Sequence, residues 1–354
     1  MKKIFLLIIT IIWIIGCENQ PISFPDYELQ AVYFPYQTPV RTLSVGEDRI
    51  DNSLDRDFKF DIAVNIGGMY KNDRNWTVDF EVDDSLTSRV YLITSPQLYN
   101  NNTKIKPLPH AYYTLTPVST VTIPSGSFIG TIRFQLTSTF FDDTTAITGQ
   151  YVIPLKITST SADSILMGKA AITGADPRIK SHWEANMSPK YWVLFGINYV
   201  NAYHGTYLHR GRDIRSVTAT GAVFDTINFR APFNYREKDP LIVLSTISRK
   251  RVITNGIANL TGTNYSMVLE FDNDKGDQGT ITVKPRPGFP YAVTGTGQYF
   301  NIANSKEKWT GLTFQSMYLN YTYTDATYTH TVVDSLVFRD RGIKFTQNTI
   351  VVKP

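Results

Sequence analysis

The sequence predicts an all-β protein: an immunoglobulin-like β-sandwich followed by an antiparallel β-barrel of lipocalin-like type, or a second sandwich. Three observations carry this. Tyr, Phe, Thr, Val and Ile are abundant, while Ala-Leu-Glu-Lys helical stretches are nearly absent. Apolar and polar residues alternate at period two through most of the chain. Gly and Pro punctuate these runs at short intervals, as turns between strands do.

The N-terminus is not part of that pattern. Lys2 and Lys3 precede an apolar run, Ile4 to Ile15, broken only by Thr10, and then "IIGC" ends at Cys17. A basic end, a short apolar stretch and a small residue before the cut describe a secretory signal too short to span a bilayer. Cysteine at the cut makes it a bacterial lipobox. Residues 1–16 are read as signal peptide, and Cys17 as the lipidated residue of the mature chain. Acylation at that thiol and amine anchors a protein firmly, because two or more chains are attached. Cys17 is also the only cysteine, so disulfides and Cys-based metal sites are excluded. The expected location is the outer membrane, lipid-anchored, at the cell surface.

Residues 17–30, "CENQPISFPDYELQ", carry two prolines and no periodicity, which suits a tether. From Ala31 strands begin. In "FKFDIAVNI", Phe58, Phe60, Ile62, Val64 and Ile66 share a face, and in "WTVDFEV" Trp76, Val78, Phe80 and Val82 do so. "VTIPSGSFIGTIRFQL" reads as strand, turn at Pro124 to Gly126, strand. About seven short strands over residues 31–170 form the immunoglobulin-like pattern, with "SADSIL" as a closing loop. Residues 171–188 lack a period and read as a linker. Residues 189–354 give about nine strands. "DNDKGDQG" and "KPRPGFP" supply turn chemistry between them. So many consecutive antiparallel strands hide their edges by closing into a barrel or stacking as a sandwich. "YWVLFGINYV" is read as the opening strand of this second domain, apolar on both faces and so covered on both.

Charge changes sign between the halves. Residues 18–179 hold 13 Lys/Arg against 18 Asp/Glu, and residues 180–354 hold 20 against 13. That supports a boundary. The basic charges are dispersed, with one tight cluster at Arg249 to Arg251, so no nucleic-acid footprint is present.

The combination of lipobox, "AVYFPYQTPVRTLSVGED", "FKFDIAVNIGGM" and the closing "DSLVFRDR" resembles a family of Bacteroidetes outer-membrane lipoproteins. Their N-terminal domain, of unknown function, also occurs upstream of family-18 endoglycosidase and lectin-like domains. "FGINYVNAYHGTYLHRG" and "GTGQYF" with "LNYTYTD" are similar to the β-rich C-terminal domain of shorter members. The resemblance covers nearly the whole mature chain. It implies a surface adhesin or glycan-binding protein serving glycan uptake, with outer-membrane glycan transporter components as partners. The carboxylate run of the family-18 enzymes, DxxDxDxE, is absent, so hydrolytic activity is not carried over.

The remaining chemistry is sparse. His204 and His209, five apart, miss the spacing of a zinc pair, and His110, His182 and His330 stand alone. Asp272, Asp274 and Asp277 lack the spacing of an EF-hand calcium loop. No Gly-x-Ser-x-Gly elbow or phosphate-cradling loop is present. No cofactor, no metal and no catalysis are expected. Carbohydrate binding needs aromatic faces beside hydrogen-bonding side chains, and the chain has 21 tyrosines and five tryptophans. Trp183, Tyr203, His204, Tyr207, Phe289, Tyr291 and Trp309 fall in or beside loops and are the candidate sugar contacts. Binding of other proteins through sheet edges is the alternative function.

Overall fold

A computed structural model describes residues 25–48, 50–93, 103–232, 235–262, 265–288 and 290–353. Cys17, the signal and most of the tether lie outside these residues, as does Phe289. The fold is all-β: a two-sheet sandwich, then a closed eight-stranded barrel.

One sandwich sheet runs Ser164–Ile165, Ala31–Tyr33, Lys59–Gly67, Ile129–Leu136, Tyr113–Thr116. The other runs Thr346–Gln347, Pro39–Ser44, Trp192–Val200, Tyr151–Thr160, Trp76–Val82, Thr120–Ile123. Alternation decides what each strand buries. Phe60, Ile62, Val64 and Ile66 point inward from the first sheet and meet Val78, Phe80, Ile153, Leu155, Val193 and Ile197 from the second. Phe60 stacks between Phe134 and Phe195, at 5.3 and 5.7 Å.

Two expectations change here. The stretch around Pro124 to Gly126 does not make a hairpin. Thr120–Ile123 pairs with Trp76–Val82, whereas Ile129–Leu136 pairs with Lys59–Gly67 in the opposite sheet. The turn is therefore an arch across the core, pinned by the Asn72 amide, which donates to the carbonyls of Pro124 and Ser127. The strand Trp192–Val200 does not open the barrel either. It lies in the sandwich, antiparallel to Tyr151–Thr160 and parallel to Pro39–Ser44. Its two apolar faces explain the placement. Val193, Ile197 and Tyr199 join the sandwich core. Trp192 and Leu194 face a small outer sheet of Ile350–Val352, Val90–Leu92 and Thr103–Lys104. Covering on both faces, as its composition predicts, is found.

The barrel strands are Gly205–Val217, Leu241–Ser248, Arg251–Thr254, Met267–Phe271, Gly279–Pro285, Thr294–Phe300, Ser316–Thr324 and Tyr328–Asp340, joined in sequence as an antiparallel meander. Closure comes from 12 paired positions between the last strand and the first, Thr206 to Val217. The first strand is long enough to share its other edge. Gly205 to Leu208 pair with Leu241–Ser248, and Gly211 to Ser216 pair with an extra strand, Val223–Phe229. The interior is filled by side chains, as in other barrels of this size. Tyr203, Phe271 and Tyr299 occupy the end near the sandwich, Leu269, Met317, Leu319 and Leu336 the middle, and Tyr321 and Tyr323 the far end. Two carboxylates are buried among them. Asp334 receives the Tyr321 hydroxyl at 2.8 Å and lies 3.1 Å from His209, and Asp213 lies 2.7 Å from His330.

Candidate functional site

Of the seven aromatic and histidine candidates, Phe289 lies outside the described residues and the other six scatter. Tyr203 and Tyr207 are fully buried. Tyr203 stacks on Phe271 at 3.4 Å, and its hydroxyl donates to the carbonyl of Asn273. Tyr207 donates to the carbonyl of Tyr203. Neither presents a face to a ligand, because the chain between Asn201 and Gly205 is a plug between sandwich and barrel, not an open loop. The Asn201 side chain donates to the carbonyls of Ser248 and Arg251. The buried guanidinium of Arg341 donates to the carbonyls of Ala202, His204 and Glu47 at 2.7–2.8 Å. A Cβ at Gly46 would lie 2.3 Å from that guanidinium, so only glycine fits there. Burial, and then the Arg341 charge, hold the His204 imidazole down to about 4. Its Nδ1 accepts the Thr246 amide.

Trp183 lies in the segment between the sandwich strands, half-buried, its indole N–H on the carbonyl of Asp176. That segment is fastened to the sandwich by Arg178, which donates to the carbonyls of Leu86 and Ser88. Tyr291 stacks on Tyr265 at 5.8 Å near the far end of the barrel. Trp309 stacks on Phe314 at 4.7 Å and donates to the carbonyl of Phe338. The carboxylates of the Asp272 loop are directed apart. Asp272 takes the amide and hydroxyl of Thr280, whereas Asp274 pairs with Arg249. Among the described residues no three carboxylate, imidazole or thiol groups gather as a metal ion requires.

A different surface offers sugar-binding chemistry. On the outside of the barrel, strands Gly279–Pro285, Thr294–Phe300 and Ser316–Thr324 line up two cross-strand rows. One is Thr280, Gln298, Tyr318 and the other Thr282, Thr296, Asn320. All six are exposed and line a shallow depression of about 430 Å³. Adjacent strands are about 4.8 Å apart, so each row spans about 10 Å, comparable to two sugar rings. Among the described residues, the side chains of Thr282, Thr296, Gln298 and Asn320 make no hydrogen bond to protein. Their hydroxyl and amide groups are therefore available.

The tyrosine of this shelf is fixed. Phe300 meets the Tyr318 ring edge-on at 5.8 Å. The Tyr318 hydroxyl donates to Glu307 at 2.5 Å, and Glu307 is in turn held by Arg236. Burial, with the Glu307 hydrogen bond and charge behind it, pushes the Tyr318 hydroxyl up to about 12. Burial works against the Glu307 charge, but the Tyr318 and Arg236 contacts outweigh it and hold that carboxyl below its usual range. A ring 37% exposed and held in one orientation presents an apolar face at small entropic cost. The depression has a backbone cause as well. Gly297 points inward where a Cβ would meet the Tyr318 carbonyl at 2.5 Å and Leu319 at 2.6 Å, so the strand lies closer to the barrel filling than any other residue would allow.

The shelf lies in mid-strand, whereas the aromatic candidates read from the sequence lie in or beside loops. Its signal lies in "SMYLNYTYT": with Met317, Leu319, Tyr321 and Tyr323 buried, period two turns Tyr318, Asn320 and Thr322 outward.

Comparisons place the chain among known sequences. A family described only as a "-like, N-terminal domain" matches residues 25–164, and a domain of unknown function, DUF5627, matches residues 202–342. The strand Trp192–Val200 falls between the two. No curated protein matches. A crystal structure of a Bacteroides ovatus protein of unknown function is 31% identical, covers 93% of this chain and 100% of its own, and superposes with a TM-score of 0.79. A second Bacteroides ovatus protein of unknown function and a Bacteroides ovatus multidomain protein including DUF1735 are each 13% identical. They cover 91% and 88% of this chain and 100% and 94% of their own, with TM-scores of 0.43 and 0.40. The chain belongs to the family of the 31% identical Bacteroides ovatus protein, and the DUF5627 match coincides with its barrel.

Proposed function

We propose that the chain is a non-catalytic surface lipoprotein, anchored in the outer membrane through Cys17, that captures neutral glycans for an uptake system. The observation that carries this reading is the shelf around Tyr318: an oriented aromatic face beside available Thr, Gln and Asn side chains, with no charged residue lining it. Neutral hydroxyl-rich ligands match such a surface, because each hydrogen bond replaces one to water and the ring covers the apolar side of a sugar. The lipobox supports the location, and outer-membrane glycan transporter components are the proposed receivers.

A second reading has its own observation. The strand Val223–Phe229 lies at the open edge of its sheet, with Val223 66% and Phe224 56% exposed. Such an edge can pair with a strand of another protein, which is the adhesion function.

A glycan array probed with residues 18–354 separates the two. Binding to neutral oligosaccharides supports glycan capture. An array without binding, together with self-assembly or capture of a protein, supports adhesion and contradicts the first reading. Release of cleaved sugars on prolonged incubation contradicts both. Cys17→Ala is expected to release the protein from the membrane fraction, and retention there contradicts the anchor.

A further inference from the structure

Where the sandwich meets the barrel, two adjoining hollows of about 330 and 550 Å³ share Phe141, Arg249 and Asp274 as lining. The sandwich contributes the short helices Ser53–Arg56 and Ser138–Asp142, and the barrel contributes the hairpin turns at Ser248–Lys250 and Asp274–Lys275. Arg249 spans the junction, with Nη1 3.6 Å from Asp142 and Nε 2.5 Å from Asp274. Phe58 is half-buried at the floor, its ring 4.2 Å from the buried Phe141 and 6.0 Å from the Arg249 guanidinium, and it has φ 62°, a left-handed conformation that a non-glycine residue adopts at a cost of about 1–3 kcal/mol. The shelf uses none of these residues.

The lining holds four cations, Arg56, Arg249, Lys250 and Lys275, and four carboxylates, Asp57, Asp142, Asp143 and Asp274. Net charge therefore selects no ligand, and engagement decides instead. Asp142 and Asp274 flank Arg249, and Asp57 pairs with Lys59 at 3.3 Å. Asp143 receives the hydroxyls of Tyr112 and Tyr151 and the amide of Thr145. The cations are less occupied. Lys250 donates to a carbonyl, that of Asp272. Arg56 and Lys275 are exposed at the rim and have no carboxylate partner among the described residues. Asp142, exposed and 3.6 Å from Arg249, belongs to the smaller hollow. In the larger one, both carboxylates, Asp57 and Asp274, are paired, and a ligand finds Arg56 and Lys275 as charged donors beside Phe58.

We propose that this cleft is a second saccharide site, taking a sugar that bears a carboxylate, with Arg56 and Lys275 on the carboxylate and the half-buried Phe58 beside the sugar ring. The proposal rests on the glycan reading for its ligand class, but on none of the shelf residues. Charge-assisted hydrogen bonds exceed neutral ones by about a factor of two in strength, so the carboxylate should decide affinity.

The test titrates residues 18–354 with tetragalacturonate and with its carboxyl-reduced counterpart, at low and high salt. The wild type should bind tetragalacturonate, more weakly as salt rises, and bind the reduced form at least about tenfold more weakly. Arg56→Ala with Lys275→Ala should weaken tetragalacturonate binding by at least about tenfold at an unchanged melting temperature, whereas Tyr318→Ala should leave it intact. Absence of tetragalacturonate binding, binding unchanged in the Arg56 and Lys275 variant, or loss in Tyr318→Ala would overturn the proposal. Failure of neutral glycans on the array with retained cleft binding would count against the shelf alone.

Discussion

Arg341 shows how much one side chain can organise. It emerges at the end of the last barrel strand, yet its guanidinium closes backbone carbonyls from Glu47 in the sandwich half and from Ala202 and His204 at the barrel entrance. Arg341→Met keeps much of the stem but leaves three carbonyls without that donor. Unpaired acceptors cost about 1–3 kcal/mol each when buried and less where water reaches them, and the Ala202 contact is buried while those to His204 and Glu47 are part-buried, so a loss of about 3 kcal/mol is expected in urea unfolding. His204, beside it, makes the junction acid-sensitive. The unfolded imidazole takes a proton near 6.5, while the folded one resists until about 4. Between those values the unfolded chain binds more protons, so stability is full above about 6.5 and falls as pH drops toward 4. The shift corresponds to roughly 3 kcal/mol. His204→Gln, whose amide oxygen can still accept from Thr246, should flatten that acid limb. An unchanged slope of unfolding free energy between pH 4 and 6.5 would contradict this account of His204.

At the scale of elements, periodicity in the sequence identified what each strand buries but not which strand lies beside it. Trp192–Val200 illustrates both. Its two apolar faces are legible in "YWVLFGINYV", and both are covered. Its neighbours are not legible, because a strand covered on both faces fits a sandwich as well as a barrel, and pairing is a long-range choice. The same limit turned the arch at Pro124 to Gly126 into an expected hairpin. Tyr203 and His204 were misplaced for a related reason: a break in alternation marks a turn, but burial of a turn depends on what docks against it, here Arg341 and the barrel end. The shelf depends on an element-scale feature too. Gly297→Val should push its strand off the Tyr318 carbonyl and Leu319, with a loss of roughly 1–3 kcal/mol from overpacking and a weakened shelf. A variant as stable as the wild type would show that the close approach is not required.

Across the whole molecule, the chain leaves the sandwich, builds the barrel and returns. Thr346–Gln347 pairs with Pro39–Ser44, and Ile350–Val352 pairs with Val90–Leu92. The sandwich is therefore not completed by residues 31–170. A fragment of residues 18–188 lacks the strand between Tyr151–Thr160 and Pro39–Ser44 and exposes the apolar faces that it covers. It should fail to give a cooperative thermal transition, whereas residues 18–354 should unfold cooperatively. A folded 18–188 fragment would contradict the interlocked arrangement. This interlocking also fixes the orientation of the barrel and so of the shelf on its outer wall. Capture of neutral glycans by that shelf is tested most directly by titrating the best-bound neutral oligosaccharide into residues 18–354 and into Tyr318→Ala. Loss of the ring face should weaken binding by at least about tenfold in a variant that still unfolds cooperatively, since stacking contacts of this kind contribute about 1–3 kcal/mol with burial included. Equal affinity in the two proteins would contradict the account.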